Sequence, residues 1–266
     1  MIPEERRKSL KNLLLKEKKI SFQELQQTLR ISRSTLYRDL EKLEKEGLIS
    51  IHKGLISCSI LARHNQAATA ASFPDDYRQQ EEIAMTAVQM VSEMDSIFLG
   101  EGLLCLLMAR YIREQKHLKN ITVVTNNFNA AVSLRGQIGH VYLIGGDLLQ
   151  NAENYYTGGP RLESNLSSIF VSKAFAAVDG IDQQSGYTMH ELSQLSMLLH
   201  LPDFSAETIF LIPSARFGYN SVHQLAPITY PDKIITDDKV AEQYRKIFSR
   251  LQKPELVLAE QPHIPA

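Results

Sequence analysis

The chain has little cysteine and no long apolar run. The two cysteines among its 266 residues, Cys58 and Cys105, are far apart and form no Cys-x-x-Cys pair. This spacing predicts neither a disulfide framework nor a zinc site, and we expect no metal and no cofactor. The most apolar stretch, IFLGEGLLCLLMARYI, is interrupted by Glu101 and is too short to cross a bilayer. The charged start, MIPEERRKSL, lacks the apolar core of a signal peptide, so we expect a soluble cytoplasmic protein with no membrane partner.

The net charge of −1 hides an uneven distribution along the chain. Residues 1–64 hold 14 lysines and arginines against 8 acidic residues, whereas residues 65–266 hold 15 against 22. The first part is therefore basic and the rest is acidic. Such an asymmetry indicates a polyanionic partner for the basic part alone.

The basic part has the pattern of three helices. Residues 4–16 are predicted to form the first helix, with leucines on one face. Ser21 and Glu24 form a capping box, flanked by apolar residues in staple positions, and predict a second helix over residues 22–29. Another capping residue, Ser32, follows after a very short turn and starts a third helix. Two helices joined by so short a turn form the helix-turn-helix unit.

The third helix has a leucine seam on one side and polar residues on the other. At about 100° per residue, Leu36, Leu40 and Leu43 lie within about 60° of one another and predict a buried stripe. Ser34 and Arg38 fall on the opposite side. A charged helix face is usually only solvated. Here the caps, the short turn and the local positive charge agree, and we predict that this face lies in the major groove of DNA.

A hairpin is predicted after the third helix. Gly47 ends the helix, and LISIHKGLISCSIL contains two β-rich runs around Lys53-Gly54. Three helices followed by a hairpin make a winged helix-turn-helix domain. The residues expected to contact base edges, phosphates and the neighbouring backbone or minor groove are Ser32, Arg33, Ser34, Thr35, Tyr37, Arg38, His52 and Lys53.

The stretch ISFQELQQTLRISRSTLYRDLEKLEKEGLI resembles the amino-terminal region of the DeoR/GlpR family of bacterial transcription regulators. The recognition segment of that family reads approximately V-S-x-x-T-[IV]-R-R-D-L-x-x-L-E-x-x-G. Tyr37 replaces the first arginine of the pair, with loss of a charge and a bidentate fork, and HKGLIS replaces the family's H-G-G-A after the wing. The resemblance implies operator binding, and the departures leave the operator sequence open. The positions in register are Ser32, Thr35, Arg38, Asp39, Leu40, Leu43, Glu44 and Gly47.

The rest of the chain has the pattern of an α/β domain. The segment LARHNQAATAASFPDDY is small, polar and aperiodic, which is typical of a linker. A helix is predicted over residues 78–93 from its apolar side. Six apolar runs alternate with helical stretches and predict a mainly parallel sheet that is covered on both faces. These runs are SIFLG near 96, ITVVT at 121, HVYLI at 140, AFAAV at 174, TIFLI at 208 and KIIT at 233.

The segment FLGEGLLC contains two thirds of a dinucleotide-binding fingerprint. Gly100 and Gly102 follow a strand and precede a helix, but Cys105 stands at the third glycine and no acidic residue ends the next strand. A tight strand-to-helix turn explains both glycines better than a nicotinamide site. The backbone N–H groups of such a turn can still bind an anion.

The family resemblance extends over this part and so covers nearly the whole chain. DeoR-type effector domains are similar to ribose-phosphate isomerase and glucosamine-phosphate deaminase folds, and are thought to sense phosphorylated sugars or related metabolites. The resemblance implies an effector site in the loops that follow the strands. The implied effector-binding residues are Gly100, Gly102, Leu103, Leu104, Thr125, Asn126, Gly145, Gly146, Asp182 and Arg216.

Several ligand positions depart from the family's pattern. Leu103 and Leu104 replace two threonines whose hydroxyls would help to hold a phosphate, and Pro213 and Arg216 replace the aspartate and the lysine of D-x-S-K. Gln194 stands where glutamate is common. Two interpretations stay open: a pocket retuned to another metabolite, in which Arg216 helps to bind phosphate, or a pocket without a ligand that serves only oligomerisation.

Together these features predict a two-domain transcription regulator. The expected parts are a winged helix-turn-helix domain at residues 1–60, a linker at 61–77, an α/β effector-sensing and oligomerisation domain at 78–255 and a tail at 256–266. We expect a repressor of a carbohydrate-metabolism operon that binds a double-stranded operator as a homodimer or homotetramer and responds to a phosphorylated sugar. One alternative is a sugar-phosphate isomerase or deaminase with an appended head, and another is a DNA-bound architectural protein without an effector.

The enzyme alternative lacks suitable side chains in the sequence. Chemistry on a sugar phosphate needs a base of suitable pKa and an acid or cation across the substrate. Gln194, Pro213 and Arg216 occupy the candidate positions, and none is a plausible general base. His190 and Glu191 are the best remaining pair, but adjacent residues of a helix or strand point in different directions. We therefore expect no catalytic residues.

Overall fold

The computed structural model describes residues 19–29, 31, 33, 35, 36, 38, 40, 49–52, 55–58, 77–151 and 154–259. The chain divides into two compact units between Ser72 and Phe73, which we call the head and the body. The predicted first helix at residues 4–16 lies outside the described residues. So do the predicted domain limit at residue 60 and the predicted linker as far as residue 76.

The head contains a three-stranded antiparallel sheet in which β3 pairs with both β1 and β2. The helix predicted at residues 22–29 and the predicted hairpin are confirmed, whereas β1 is a strand that the sequence did not indicate. The described residues of the third helix are Arg33, Thr35, Leu36, Arg38 and Leu40. The other elements of the head are β1 (Lys19–Ser21), α1 (Phe22–Leu29), β2 (Ile49–His52) and β3 (Leu55–Cys58).

Apolar side chains from both helices and the sheet are buried in the head. Leu25 of α1 and Leu36 and Leu40 of the third helix are at most 1% exposed, as is Ile56 of β3. Burial of each leucine contributes roughly 2 kcal/mol relative to an exposed position. The predicted leucine seam is therefore confirmed for two of its members, and the third, Leu43, lies outside the described residues.

The body alternates helices and strands. Its helices are α2 (Tyr77–Gln89), α3 (Leu103–Glu114), α4 (Phe128–Leu134), α5 (Pro160–Leu166), α6 (Leu192–Leu199), α7 (Leu201–Phe204) and α8 (Glu242–Phe248), with 3-10 helices at Lys116–Leu118 and Ser214–Arg216. Its strands are β4 (Ser96–Leu99), β5 (Thr122–Thr125), β6 (His140–Leu143), β7 (Asp147–Asn151), β8 (Asn154–Gly158), β9 (Val171–Ala177), β10 (Gly180–Asp182), β11 (Gly186–Met189), β12 (Ser205–Leu211), β13 (His223–Ala226), β14 (Lys233–Thr236) and β15 (Glu255–Leu258).

Seven parallel strands form the central sheet of the body, in the order β15-β14-β12-β9-β4-β5-β6. All six predicted apolar runs form strands of this sheet, which confirms the predicted parallel α/β fold. The chain proceeds from β4 through β5 to β6 on one side and then crosses to β9 on the other side of β4. The strand order therefore reverses between β4 and β9, where ligands of open α/β sheets bind at the carboxyl ends of the strands.

The seventh strand corrects the predicted end of the effector domain. The limit drawn at residue 255 falls inside β15, whose residues pair with β14 from Lys233↔Glu255 to Thr236↔Leu258. The sheet thus continues through Leu258, and the predicted tail cannot begin at residue 256. Two small additional sheets, β7-β8 and β10-β11-β13, were also not predicted.

Apolar residues fill a core on each face of the central sheet. Ile97 and Leu99 of β4 belong to the core beneath α2 and α3, and Phe98 belongs to the opposite core. Successive side chains of a strand alternate between faces, so a strand covered on both faces is apolar throughout. The helix predicted over residues 78–93 is α2, which ends at Gln89. Within the part of the chain that the structure describes, no helix is long and apolar enough to cross a membrane.

Candidate functional site

The third helix of the head presents arginines on its solvent side. Arg33 and Arg38 are exposed, whereas Leu36 and Leu40 of the same helix are buried. The Arg33 guanidinium carbon lies 5.7 Å from the centre of the Phe22 ring, within the range of a cation–π interaction. The cationic groups are thus accessible to a polyanion, while the leucines anchor the helix.

The other predicted DNA contacts are described only in part. Thr35 is half-buried in the third helix, and His52 is the last residue of β2, where the hairpin turns. The DNA contacts of both residues stay predictions. The remaining predicted contacts, which lie outside the described residues, are Ser32, Ser34, Tyr37 and Lys53.

In the body, two acidic residues stand where the strand order reverses. Glu101 follows β4 after one residue, and Asp179 follows β9 after one residue. Because β4 and β9 are parallel neighbours, their carboxyl ends meet at the same edge of the sheet. Glu101 and Asp179 therefore belong to the crevice in which this class of sheet binds ligands.

The turn between β4 and α3 depends on glycine. Gly102 precedes α3 with a φ of 97°, in the left-handed region that favours glycine. The side-chain amide of Asn127 donates hydrogen bonds to the carbonyls of Gly102 at 3.1 Å and Gly100 at 3.4 Å, and so ties the end of β5 to this turn. Leu103 and Leu104 pack into the core, which leaves their backbone rather than their side chains for a ligand.

The residues that end β5 form a buried polar group. The Thr125 hydroxyl donates to the Leu99 carbonyl at 2.6 Å and is thus used within the protein. The Asn126 amide nitrogen donates to the Thr157 carbonyl at 3.1 Å and to Gln194 Oε1 at 3.0 Å. Asn126 and Gln194 are at most 1% exposed, yet Asn126 Oδ1 and Gln194 Nε2 have no hydrogen-bond partner. One acceptor and one donor are therefore unsatisfied beside the end of β5.

Glu101, Asp179 and Glu191 form what we call the carboxylate cluster. Glu101 Oε2 is inaccessible to solvent and has no hydrogen-bond partner. Burial, followed by the charges of Asp179 and Glu191, raises the pKa of Glu101 from 4.5 to about 7. The Asp179 carboxylate accepts a hydrogen bond from the His190 backbone N–H at 2.6 Å, which fixes its position. Among the described residues, no group of histidines, cysteines and acidic residues could hold a metal ion.

Gly145 and Gly146 follow β6 and lie on the far side of β5 from Glu101. The Gly145 carbonyl accepts a hydrogen bond from the Asn165 amide at 3.1 Å. A Cβ on Gly146 would lie 2.6 Å from the carbonyl oxygen of Gly158. The close approach of two backbone segments therefore requires glycine at this position.

Asp182 and Arg216 belong to two segments that meet on the β9 side of the crevice. Asp182 ends β10, and its carboxylate accepts a hydrogen bond from the Gln184 backbone N–H at 2.9 Å. Arg216 ends the 3-10 helix that follows β12, a strand two positions from β4. A bridge between Ile181 and Phe217, the neighbours of these residues in sequence, brings the two segments together.

The fold gathers four further residues at the crevice, Glu101, Asp179, Glu191 and Gln194, of which only Gln194 stands at a ligand position of the family's pattern. Glu101 had a detectable signal, since it is an acidic residue between two glycines in the most apolar stretch of the chain. Asp179 also had one, because it follows an apolar run directly. No spacing indicates that Glu191 and Gln194 come to the same place, because they arrive from a distant segment at the start of α6.

Comparison with known families identifies the chain. The DeoR C-terminal sensor domain matches residues 75–238, more than half of the chain, and a helix-turn-helix domain matches residues 6–62. The chain belongs to the DeoR family. The family predicted from the sequence is thereby confirmed, as is the fold class of a helix-turn-helix head and an α/β body.

Two curated proteins and one solved structure illustrate the similarity of this DeoR-family chain to known proteins. The HTH-type transcriptional repressor GlcR of Bacillus subtilis is 26% identical over 264 residues, which cover 98% of each chain. The lactose phosphotransferase system repressor of Staphylococcus epidermidis is 25% identical over 90% of this chain and 94% of its own. Ribose 5-phosphate isomerase A of Methanocaldococcus jannaschii aligns with a TM-score of 0.37 and 16% identity, over 53% of this chain and 55% of its own.

Membership of the DeoR family, together with the helix-turn-helix domain, makes this chain a DNA-binding transcription regulator. Arg33 and Arg38, which the sequence predicts to contact DNA, are exposed on the third helix. The crevice at β4 and β9 lies within the sensor domain.

Proposed function

We propose that this DeoR-family regulator represses a carbohydrate-metabolism operon. The observation that carries the proposal is the third helix, in which exposed Arg33 and Arg38 stand opposite a buried leucine seam. Such a helix suits the major groove, where arginine can hydrogen-bond to guanine edges and to phosphates. His52 and Lys53 of the wing would contact the adjacent backbone or minor groove. Similarity to the lactose phosphotransferase system repressor of Staphylococcus epidermidis supports the carbohydrate operon.

A homodimer or homotetramer is the proposed assembly. A symmetric dimer reads two half-sites about 34 Å apart on one side of DNA. The exposed Tyr142 and Leu148, at 57% and 64%, supply apolar surface on the body for such an assembly. Binding to a chromosomal operator gives the protein a cytoplasmic site of action.

The crevice between the ends of β4 and β9 is the proposed effector site, with a phosphorylated sugar or a related metabolite as effector. Its support is the reversal of strand order together with the unsatisfied Asn126 Oδ1 and Gln194 Nε2, because buried polar atoms in native proteins usually have partners. Two observations support the alternative of a regulator without an effector. The side chain of Leu104 packs into the core, and the Thr125 hydroxyl already donates its hydrogen bond to the Leu99 carbonyl.

The body is proposed to bind its effector without converting it. Gln194, which stands at a position where glutamate is common, cannot act as a general base. Glu101 has a pKa of about 7, which suits acid-base catalysis, and this observation keeps the isomerase or deaminase alternative testable. Its charged neighbours Asp179 and Glu191 are anions, whereas an enediolate intermediate needs positive charge. Conversion of a sugar phosphate by the purified protein would restore the enzyme interpretation.

The test of the proposed function starts from DNA bound by the protein in its own cell. Sequencing of that DNA should reveal a shared, repeated operator next to genes of carbohydrate metabolism. Deletion of the regulator should raise expression of those genes. A fall in expression would indicate an activator, and the absence of a shared sequence would contradict operator recognition.

The effector part of the proposal has a separate test on the same operator. Titration of the full chain against sugar phosphates should give heat of binding, and the binding compound should release the operator in a mobility-shift assay. Operator binding that responds to no metabolite would favour the regulator without an effector.

A further inference from the structure

The carboxylate cluster has an electrostatic character that does not suit an anion. Burial, followed by the charges of Asp179 and Glu191, raises the pKa of Glu101. Like charges that lie close together repel each other, and the repulsion is stronger where solvent is excluded. A phosphate placed against the cluster would add to this repulsion, whereas an ammonium group would relieve it.

Unsatisfied polar atoms provide a second, independent sign of a ligand. Asn126 Oδ1 and Gln194 Nε2 are buried without partners. Rotation of the Asn126 amide does not remove the problem, because it would turn Oδ1 toward the Thr157 carbonyl that now accepts from Nδ2 at 3.1 Å. One acceptor, Asn126 Oδ1, and one donor, Gln194 Nε2, are therefore unpaired beside the end of β5. A hydroxyl group of a ligand can both donate and accept, so ligand hydroxyls can satisfy both atoms.

Tyr156 links the carboxylate cluster to the unsatisfied amides of Asn126 and Gln194. Tyr156 has a pKa that is raised by burial first and then by Glu101 and Glu191, while its hydroxyl lies 3.4 Å from the hydroxyl of Ser193. Ser193 precedes Gln194, the partner of Asn126. The cluster and the unsatisfied amides are thus joined through Tyr156 and the start of α6.

On this basis, and resting on the proposed effector site, we propose that the effector is an amino-bearing polyol. The carboxylate cluster binds its protonated amine, and Asn126 Oδ1 and Gln194 Nε2 bind its hydroxyls. A metal ion is not the favoured cation, since the described residues form no metal-binding group. A neutral polyol is the competing ligand, because a protonated Glu101 can donate a hydrogen bond to a hydroxyl.

Matched pairs of probes separate these ligands in calorimetric titrations of the full chain. The pairs are glucamine with sorbitol, glucosamine with glucose, and glucosamine 6-phosphate with glucose 6-phosphate, each differing by an amine in place of a hydroxyl. At least one amine is expected to bind at least about tenfold more tightly than its partner. Glucamine is an alkyl amine of the lysine type and stays protonated between pH 6 and pH 8. If it is the amine that binds, its affinity should rise over this interval because Glu101 must ionise.

The Glu101→Gln variant keeps the shape of the side chain and removes its charge. We expect it to abolish the preference for the amine and the pH dependence of binding. The matched control is Glu114→Gln, at the exposed far end of α3, which should bind like the parent.

Other outcomes would overturn the inference. Equal or tighter binding of every hydroxyl partner, or affinity that falls as pH rises, would indicate a neutral polyol. Operator release by glucose 6-phosphate without a preference for the amine would refute the amine site and leave the proposed repressor function standing. Binding of none of the six probes would also overturn the inference, while operator recognition is tested separately by the bound DNA.

Discussion

Replacement of Glu101 by glutamine should stabilise the body at alkaline pH. Glutamine has nearly the same shape as glutamate but does not titrate, so the comparison isolates the charge. In the folded body, burial and then Asp179 and Glu191 raise the pKa of Glu101 from 4.5 to about 7. In the unfolded chain the group regains its ordinary pKa.

The size of the effect follows from this difference in pKa. A carboxyl group whose pKa is raised by folding contributes stability that is fully present below about pH 4.5 and is lost as the pH rises through about 7. One pKa unit corresponds to 1.36 kcal/mol, so the full loss is about 3 kcal/mol. We take the difference between variant and parent in free energy of unfolding at pH 4 as the reference. Relative to it, the advantage of the variant should grow by about 1 kcal/mol at pH 5 and by about 3 kcal/mol at pH 8.

Urea unfolding at pH 4, 5, 6, 7 and 8 measures this difference. Nine of the ten tyrosines lie after residue 73, so tyrosine fluorescence reports on the body. Glu114→Gln removes an exposed charge from α3, the helix that follows the Glu101 turn, and should keep the pH dependence of the parent. An advantage of Glu101→Gln that does not change with pH would refute the buried carboxyl as its cause, and so would the absence of an advantage at pH 8.

Three further predictions concern other parts of the chain. Gln79→Ala should destabilise the body by about 2 kcal/mol in urea unfolding, because the fully buried Asp237 carboxylate loses a hydrogen bond of 2.9 Å from the Gln79 amide. The control is Gln89→Ala at an exposed position, and an equal loss of stability in both variants would contradict this prediction. Burial raises the pKa of the Cys105 thiol to about 12. Iodoacetamide should therefore modify Cys105 far more slowly in the folded protein at pH 8 than in the protein unfolded by urea, as measured by peptide mass. Equal rates in the two states would argue against the buried position. Lys53→Ala should mainly reduce the slope of operator affinity against salt by about one, and an unchanged slope would remove Lys53 from the phosphate contacts.

The sequence predicts the architecture because the inner strands of the central sheet are buried on both faces. Six runs, several of them continuously apolar, mark six of the seven strands of the central sheet, and the caps around Ser21 mark the start of α1. Strand β1 escapes prediction because Lys19–Ser21 are three residues of mixed polarity, and β15 because four residues near the end of the chain give too short a pattern.

The candidate effector site is harder to predict because it depends on tertiary contacts. The glycine turn and the end of β5 are visible in the sequence as Gly102 and Asn126. Glu191 and Gln194 come to them only through the packing of α6, which no local pattern reveals. Leu104 shows the converse case, since alignment with the family's pattern suggests a ligand residue where the fold has a core residue.

The most direct test of the central claim is the affinity of Arg38→Ala for the operator, measured by fluorescence anisotropy at several salt concentrations that are the same for every variant. The exposed Arg113→Ala in the body removes the same charge and serves as the control. If Arg38 contacts a base, its loss should weaken binding by about 1 to 3 kcal/mol, or roughly 5-fold to 150-fold, while Arg113→Ala binds like the parent. Equal affinity of Arg38→Ala and Arg113→Ala across salt concentrations would contradict the assignment of the third helix to the DNA groove.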